Sequence, residues 1–186
     1  MHATEVRTAA KETTLRDALL MAGGFALALA AAAQVRILLP NNPVPITLQT
    51  FVLYSGAAVL ATRTALAGVG LYVGLALIGL PVLSGLRGGL AAFGGATGGY
   101  VLGWFVAVLV LSRLLDRQLS WARTAATMTL GTVIILFCGT LHLGLLLGLS
   151  PAQAFLMGAA PFIPGDVLKI VAASTLVRRW PSASSR

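Results

Sequence analysis

The long apolar stretches of this chain are almost free of acids and bases, and a single acid, Asp166, falls inside one of them. Water-soluble domains carry charge on about a quarter of their residues. Here 58% of residues are hydrophobic and 10% charged, with a mean hydropathy of +0.91. Such a chain has the bilayer as its solvent. Spans of about 20 residues with short connections leave room for roughly six helices and no soluble domain. The expected fold is therefore all-α and polytopic, a single six-helix transmembrane domain over residues 17–180 with tails at 1–16 and 181–186.

Local signals divide the chain. Helix one runs from Asp17 to Leu39, where Pro40-Asn-Asn-Pro-Val-Pro45 stops it. A short second helix covers about Leu48–Ala61, Arg63 marks a turn, and a third spans Ala65–Leu80 before Pro81. The glycine-rich stretch Ser84–Gly99 is the longest irregular segment, followed by helices over Tyr100–Leu115 and Thr124–Leu147. Ser150-Pro151 is an N-cap with proline in the first turn of helix six, which Pro161 and Pro164 must interrupt. Such a break survives at membrane depth where the freed backbone groups face protein, water or ligand.

Arg7, Lys11 and Arg16 before ALALAAAAQ resemble a cleavable secretory signal, but the apolar run continues to Leu39, so the segment is read as helix one. With the N-terminus inside, Arg7, Lys11, Arg16, Arg63, Arg113, Arg117, Arg123, Arg178, Arg179 and Arg186 fall on the inner side, and only Arg36 and Arg87 fall on the outer. Both termini are then cytoplasmic, and the proline-rich loop, the glycine-rich loop and the start of the broken helix converge on the outer side.

In Pro161-Phe-Ile-Pro-Gly-Asp166-Val-Leu-Lys169 a carboxylate and an ammonium stand three residues apart, on one helix face. Either group at membrane depth costs roughly 2.5 to 3.5 kcal/mol, so it persists where it pairs, lines a cavity or meets a ligand. Asp166 also lies at a helix N-terminus, which favours anions. Arg87, an outer cation that topology does not explain, is a candidate clamp for a carboxylate; the alternative is an interfacial arginine reaching lipid headgroups. Thr47 and Gln49 supply neutral donors and acceptors, and Tyr72 and Tyr100 are candidates for an apolar wall. The constellation suits an amphiphilic ligand with an acid at one end and amide-like donors at the other. Read as packing alone, the Asp166–Lys169 pair would only lock helices together.

Glycine pairs 70/74, 95/99, 99/103 and 144/148 have the spacing that lets helices approach closely. Alanines 22, 26 and 30, and likewise 28 and 32, form smooth stripes on helix one. His142 is alone and reads as a packed or hydrogen-bonded histidine. Cys138, the sole cysteine, gives no disulfide framework or thiolate metal cluster. The scattered basic residues do not form a nucleic-acid surface. There is no GxxxxGK[ST] loop, no HExxH and no second intramembrane acid. A nucleotide-hydrolysing or metal-dependent enzyme is thereby disfavoured.

Four segments resemble a known family: Pro43-Val-Pro-Ile-Thr-Leu-Gln49, Gly79-Leu-Pro-Val-Leu-Ser-Gly85 with Arg87-Gly-Gly89, Thr97-Gly-Gly-Tyr100, and Pro161–Lys169. In that order, across nearly the whole chain, they resemble BioY, the biotin-specific S components of energy-coupling-factor transporters. Ala96 departs from the pattern, which usually has proline there. The resemblance implies a multi-pass protein of the bacterial cytoplasmic membrane that captures biotin without a cofactor. It implies partners too: a transmembrane coupling subunit and two ATPases, or a homo-oligomer where the subunit works alone. The resemblance implies Arg87, Asp166 and Lys169 as polar anchors, with Gln49 and the loop glycines Gly88, Gly89, Gly98 and Gly99 shaping the pocket; Thr47, Tyr72 and Tyr100 join them as candidate binding residues on the reading of the residues given above. Lys169 and Arg87 are assigned to the carboxylate region, and Asp166 orients the lysine or accepts from the ligand. Ala22, Ala26 and Ala30 are the expected face toward the coupling subunit. An S component for another small carboxylated vitamin, a membrane enzyme acting on such a molecule, or a structural subunit are the rival readings.

Overall fold

The computed structural model describes residues 15–116 and 119–179. Both expected tails, apart from Leu15 and Arg16, lie outside these residues, as do Arg7, Lys11, Arg117 and Arg186. The described chain is mostly helical: α1 (Leu15–Gln34), α2 (Gln49–Val59), α3 (Thr62–Leu77), α4 (Leu90–Gly94), α5 (Gly98–Leu114), α6 (Trp121–Leu147), α7 (Pro151–Gly158) and α8 (Ile163–Arg179). Among the described residues, three helical stretches are long and apolar enough to cross a membrane: α1, α6, and the broken pair Pro151–Arg179. α3 and α5 are apolar but shorter. The 11 residues of α2 extend about 17 Å, roughly half a hydrocarbon core.

Three local expectations change, the first being the turn at Arg63, which lies inside α3 because that helix begins at Thr62. Helix one stops at Gln34 instead of Leu39, because Arg36–Ile37 (β1) pairs antiparallel with Ile46–Thr47 (β2), Arg36 opposite Thr47. Pro40 lacks the N–H that a continued helix would offer the Arg36 carbonyl, and it biases Leu39 away from the helical region. In the ribbon Leu48 N–H donates to the Val35 carbonyl at 3.1 Å, which adds a short β element to an otherwise helical chain. The glycine-rich stretch, expected to be irregular, contains α4.

Small residues set the helix contacts. A Cβ on Gly56 of α2 or Gly68 of α3 would overlap the Phe25 ring, which α1 inserts between them. Ala22 and Ala26 belong to this same contact and are 5% and 2% exposed. The alanine stripe expected to face a partner therefore packs inside the subunit, with Ala30 partly buried beside it. α5 and α6 meet through Gly99 against His142 and Cys138, Gly103 against Ile135, Gly131 against Leu111, and Gly139 beneath the Tyr100 ring. The 99/103 pair is thus used for close approach, whereas a Cβ at Gly70 or Gly74 would meet nothing within 4 Å. His142 Nε2 lies 3.0 Å from the Gly95 carbonyl, the hydrogen-bonded role expected for it. At the centre, α2 packs against α1, α3, α5, α6 and α8, burying Leu53, Tyr54 and Ala57.

The proline break forms as expected. α7 opens with a Ser150–Gln153 capping box and Pro151 in its first turn, ends at Gly158, passes through one tight helical turn at Ala160–Phe162, and resumes as α8. Pro161 has no N–H for the Met157 carbonyl. Asn42 Nδ2, from the β1–β2 loop, donates to that carbonyl at 2.7 Å, and the Tyr100 hydroxyl donates to the Gly158 carbonyl at 2.7 Å. Side chains far apart in sequence thus satisfy the acceptors that the break exposes.

Candidate functional site: a central hollow with two kinds of charge

Between α2, α3, α5, α6 and α8 lies an open hollow. Asp166, Lys169, Arg87, Gln49, Thr47, Tyr72 and Tyr100 all line it, so the structure brings seven of the sequence-expected residues together. Gly88, Gly89, Gly98 and Gly99 do not line it. Gly89 adopts φ +91°, and a Cβ on Gly88 would run into the Leu80 carbonyl, so these two shape the loop that carries Arg87. Gly98 and Gly99 act behind the wall, where a Cβ would collide with Phe93 and with α6.

Asp166 occupies the first turn of α8 and Lys169 the next, so i,i+3 geometry points both into the hollow. Lys169 Nζ donates to Asp166 Oδ1 at 2.9 Å and to Thr50 Oγ1 at 3.0 Å, and Thr50 Oγ1 donates to the same Oδ1 at 3.4 Å. The ion-pair side chains are 12% and 7% exposed. Each charge is compensated, yet capacity is left over: Oδ2 of Asp166 makes no bond to a described residue, and the ammonium has a third proton. The pair is not sealed on itself.

Arg87 is different. It is exposed at the hollow's edge, and its Nε donates to the Ser84 carbonyl at 3.1 Å. Among the described residues its two terminal nitrogens have no partner, so the charge there is uncompensated. Beside it the buried Ser84 hydroxyl also lacks a partner.

Gln49 is 5% exposed, and both of its amide protons are engaged. Its Nε2 donates to the Tyr72 hydroxyl at 2.8 Å and to the Leu29 carbonyl at 3.4 Å, while Oε1 accepts from Thr47 Oγ1 at 3.1 Å. Tyr72 passes the chain on to the Val82 carbonyl at 3.2 Å. This relay ties α1, α2, α3 and the segment that follows α3 together as a polar edge. The remaining wall is aromatic: Tyr72 and Trp104 have ring centroids 6.0 Å apart, and Tyr100 and Phe162 5.9 Å, spacings that suit tilted ring pairs.

Sequence reasoning missed Thr50, Trp104 and Ser84 as lining residues. Trp104 was discoverable, being one turn beyond Tyr100 on the same face of α5. Ser84 lies inside a segment already singled out. Thr50 carries no local signal, since only the approach of α2 to α8 places its hydroxyl between Asp166 and Lys169.

The BioY family model matches residues 5–186. A biotin transporter BioY from Rhizobium etli is 36% identical over 172 residues, covering 88% of this chain and 91% of the relative. One from Rhodobacter capsulatus is 41% identical over 180 residues, covering 87% and 93%. A crystal structure of the S-component for biotin from an ECF-type ABC transporter superposes with a TM-score of 0.83 at 26% identity, covering 92% of this chain and 94% of that one. With the four motifs placed around one hollow and the match running nearly end to end, the chain belongs to the BioY family.

Proposed function

We propose that this protein captures biotin and carries it across the membrane as the substrate-specific subunit of an energy-coupling-factor transporter. It binds its ligand without transforming it, and ATP hydrolysis is the work of partner ATPases acting through a transmembrane coupling subunit. One observation carries the reading: a single hollow holds a compensated, hydrogen-bonding ion pair and, separately, an uncompensated cation.

Electrostatics divides the ligand between them. The Asp166–Lys169 pair is neutral overall, so it favours a neutral group with a donor and an acceptor on one edge. A ureido ring is such a group: Asp166 Oδ2 accepts its N–H, and the spare Lys169 proton goes to its carbonyl. A second carboxylate placed there would face Asp166 across a charge already neutralised. Arg87, with the Ser84 hydroxyl beside it, suits the carboxylate tail. Lys169 thereby moves from the carboxylate end, where the sequence reading assigned it, to the ureido end, while Arg87 keeps its role. Tyr72, Trp104, Tyr100 and Phe162 cover the apolar middle.

The membrane arrangement follows the same reading: six crossings in the bacterial cytoplasmic membrane, both termini inside, with the short α2 completed by the β1–β2 ribbon. Because Ala22 and Ala26 are internal, the small residues that α1 leaves exposed for a coupling subunit are Gly24, Ala28 and Ala31. The test is gentle detergent purification followed by mass spectrometry of co-purified small molecules. Biotin at near-equal molar amounts is the expected result; a different carboxylated vitamin, or none after biotin supplementation, overturns the proposal.

A further inference from the structure

A second hollow lies beside the first, opening on the flank of the bundle between α6, α7 and α8 and bordered by side chains such as Val133, Phe137, Leu141, Phe155 and Val167. Among the described residues, two border both spaces: Leu136 of α6 and Asp166 of α8. The carboxylate of Asp166 is held by Lys169 and Thr50, and those two residues border the central hollow alone. The polar end of Asp166 is therefore committed to the central side. The other shared residue, Leu136, brings a hydrocarbon side chain to the walls of both spaces.

We infer that Leu136 is a specificity-determining residue, a partition one side chain thick that limits how wide a ligand can be at its Asp166–Lys169 end. The inference rests on the proposed placement of the ureido edge at that pair. Leu136 has no polar atom to offer, so it acts by volume. Its neighbour Ile135, 3% exposed, backs onto Gly103 of α5, which fixes α6 at this level and prevents it from closing a gap left at position 136. Beyond the partition a substituent meets apolar, exposed side chains, with Phe137 at 66% and Leu141 at 53%. Removing the partition thus opens room of the right polarity and does not merely leave a void.

The test uses the purified full-length chain and three probes: biotin, biotin bearing a benzyl group on one ureido nitrogen, and the benzylamide of the biotin carboxylate. The benzyl-ureido probe keeps its second N–H, and the benzylamide extends the opposite end. The measured quantity is the Kd of each probe relative to biotin, in the parent, Leu136→Ala, Leu136→Val and Phe137→Ala. The penalty on the benzyl-ureido probe should shrink by on the order of tenfold or more in Leu136→Ala and by less in Leu136→Val. It should stay at the parent value in Phe137→Ala, whose side chain borders only the flank. The benzylamide ratio should not move in any variant. An unchanged benzyl-ureido ratio in variants that still bind biotin overturns the partition, as does a gain confined to the benzylamide. Should Leu136→Ala fail to fold, Leu136→Val alone decides by the same ratio. Loss of biotin binding by the parent protein refutes the binding-site reading itself, which keeps the two failures apart.

Discussion

Neutralising one member of the Asp166–Lys169 pair should destabilise the protein more than neutralising both. At a separation of 2.9 Å and an effective dielectric of about 20, direct attraction is about 6 kcal/mol. Burying both ions costs several kcal/mol each, so attraction and desolvation nearly cancel and the intact pair adds little net stability. Lys169→Met removes the attraction but leaves a carboxylate on a residue 5% exposed, with Thr50 as its remaining partner. Asp166→Asn strands the ammonium in the same way. Each single change should cost about 3 to 5 kcal/mol, lowering the apparent Tm in detergent by roughly 6 to 20 °C. The double variant leaves no orphaned charge and should recover most of that loss. All three variants should weaken biotin, because Lys169→Met deletes the donor to the ureido carbonyl and Asp166→Asn replaces a charged acceptor with a neutral one. Thermal unfolding and ligand binding, read on the four proteins, complete the cycle. A double variant no more stable than the weaker single, or single variants as stable as the parent, would show that the charges are not buried against each other as described.

Arg87→Gln should weaken biotin by about tenfold to a hundredfold, as expected for a lost charged hydrogen bond, while barely affecting biotin amide; equal losses for acid and amide would detach Arg87 from the carboxylate. Thr50→Val, which conserves shape, should weaken biotin by roughly tenfold, and Thr50→Ser should restore it, both read by titration. Asn42→Ala leaves the Met157 carbonyl without its donor and should cost about 1 to 3 kcal/mol, measured as a Tm loss reproduced by Asn42→Leu. Gly99→Ala places a methyl group against the α6 backbone and the His142 side chain, so it should cost about 1 to 3 kcal/mol, whereas Gly74→Ala, facing open space, should leave Tm unchanged.

How far the site could be read in advance depended on the range of the interaction. Asp166 and Lys169 were legible as a pair because i,i+3 spacing settles their common face before any tertiary contact forms. Their third partner was not, since Thr50 is separated from Lys169 by 119 positions. Tyr100 was correctly placed at the hollow as a ring, but its hydroxyl turns to the Gly158 carbonyl, 58 positions away, because the proline break needs a donor there. Gln49 was legible as a polar residue of the hollow, but the partners of its amide were not: the protons go to Tyr72 and Leu29 while Oε1 accepts from Thr47. The alanine stripe misled for a related reason. On a helix apolar all round, small-residue spacing identifies a surface of close approach but not which neighbour approaches, and α3 takes the face that a partner was expected to use.

Taken alone, the sequence determined the solvent, the helical character, the proline break and the charged pair, since hydropathy, a missing N–H and helical periodicity act within a few residues. The tertiary structure decided what each polar group does. It gave Asp166 and Lys169 a shared hydroxyl from α2, left Arg87 uncompensated among the described residues, capped the broken helix from Asn42 and Tyr100, and put Leu136 in the walls of two hollows. Those assignments depend on which helix faces lie opposite one another, and in a bundle of nearly uniform hydrophobicity it is complementary packing that selects them.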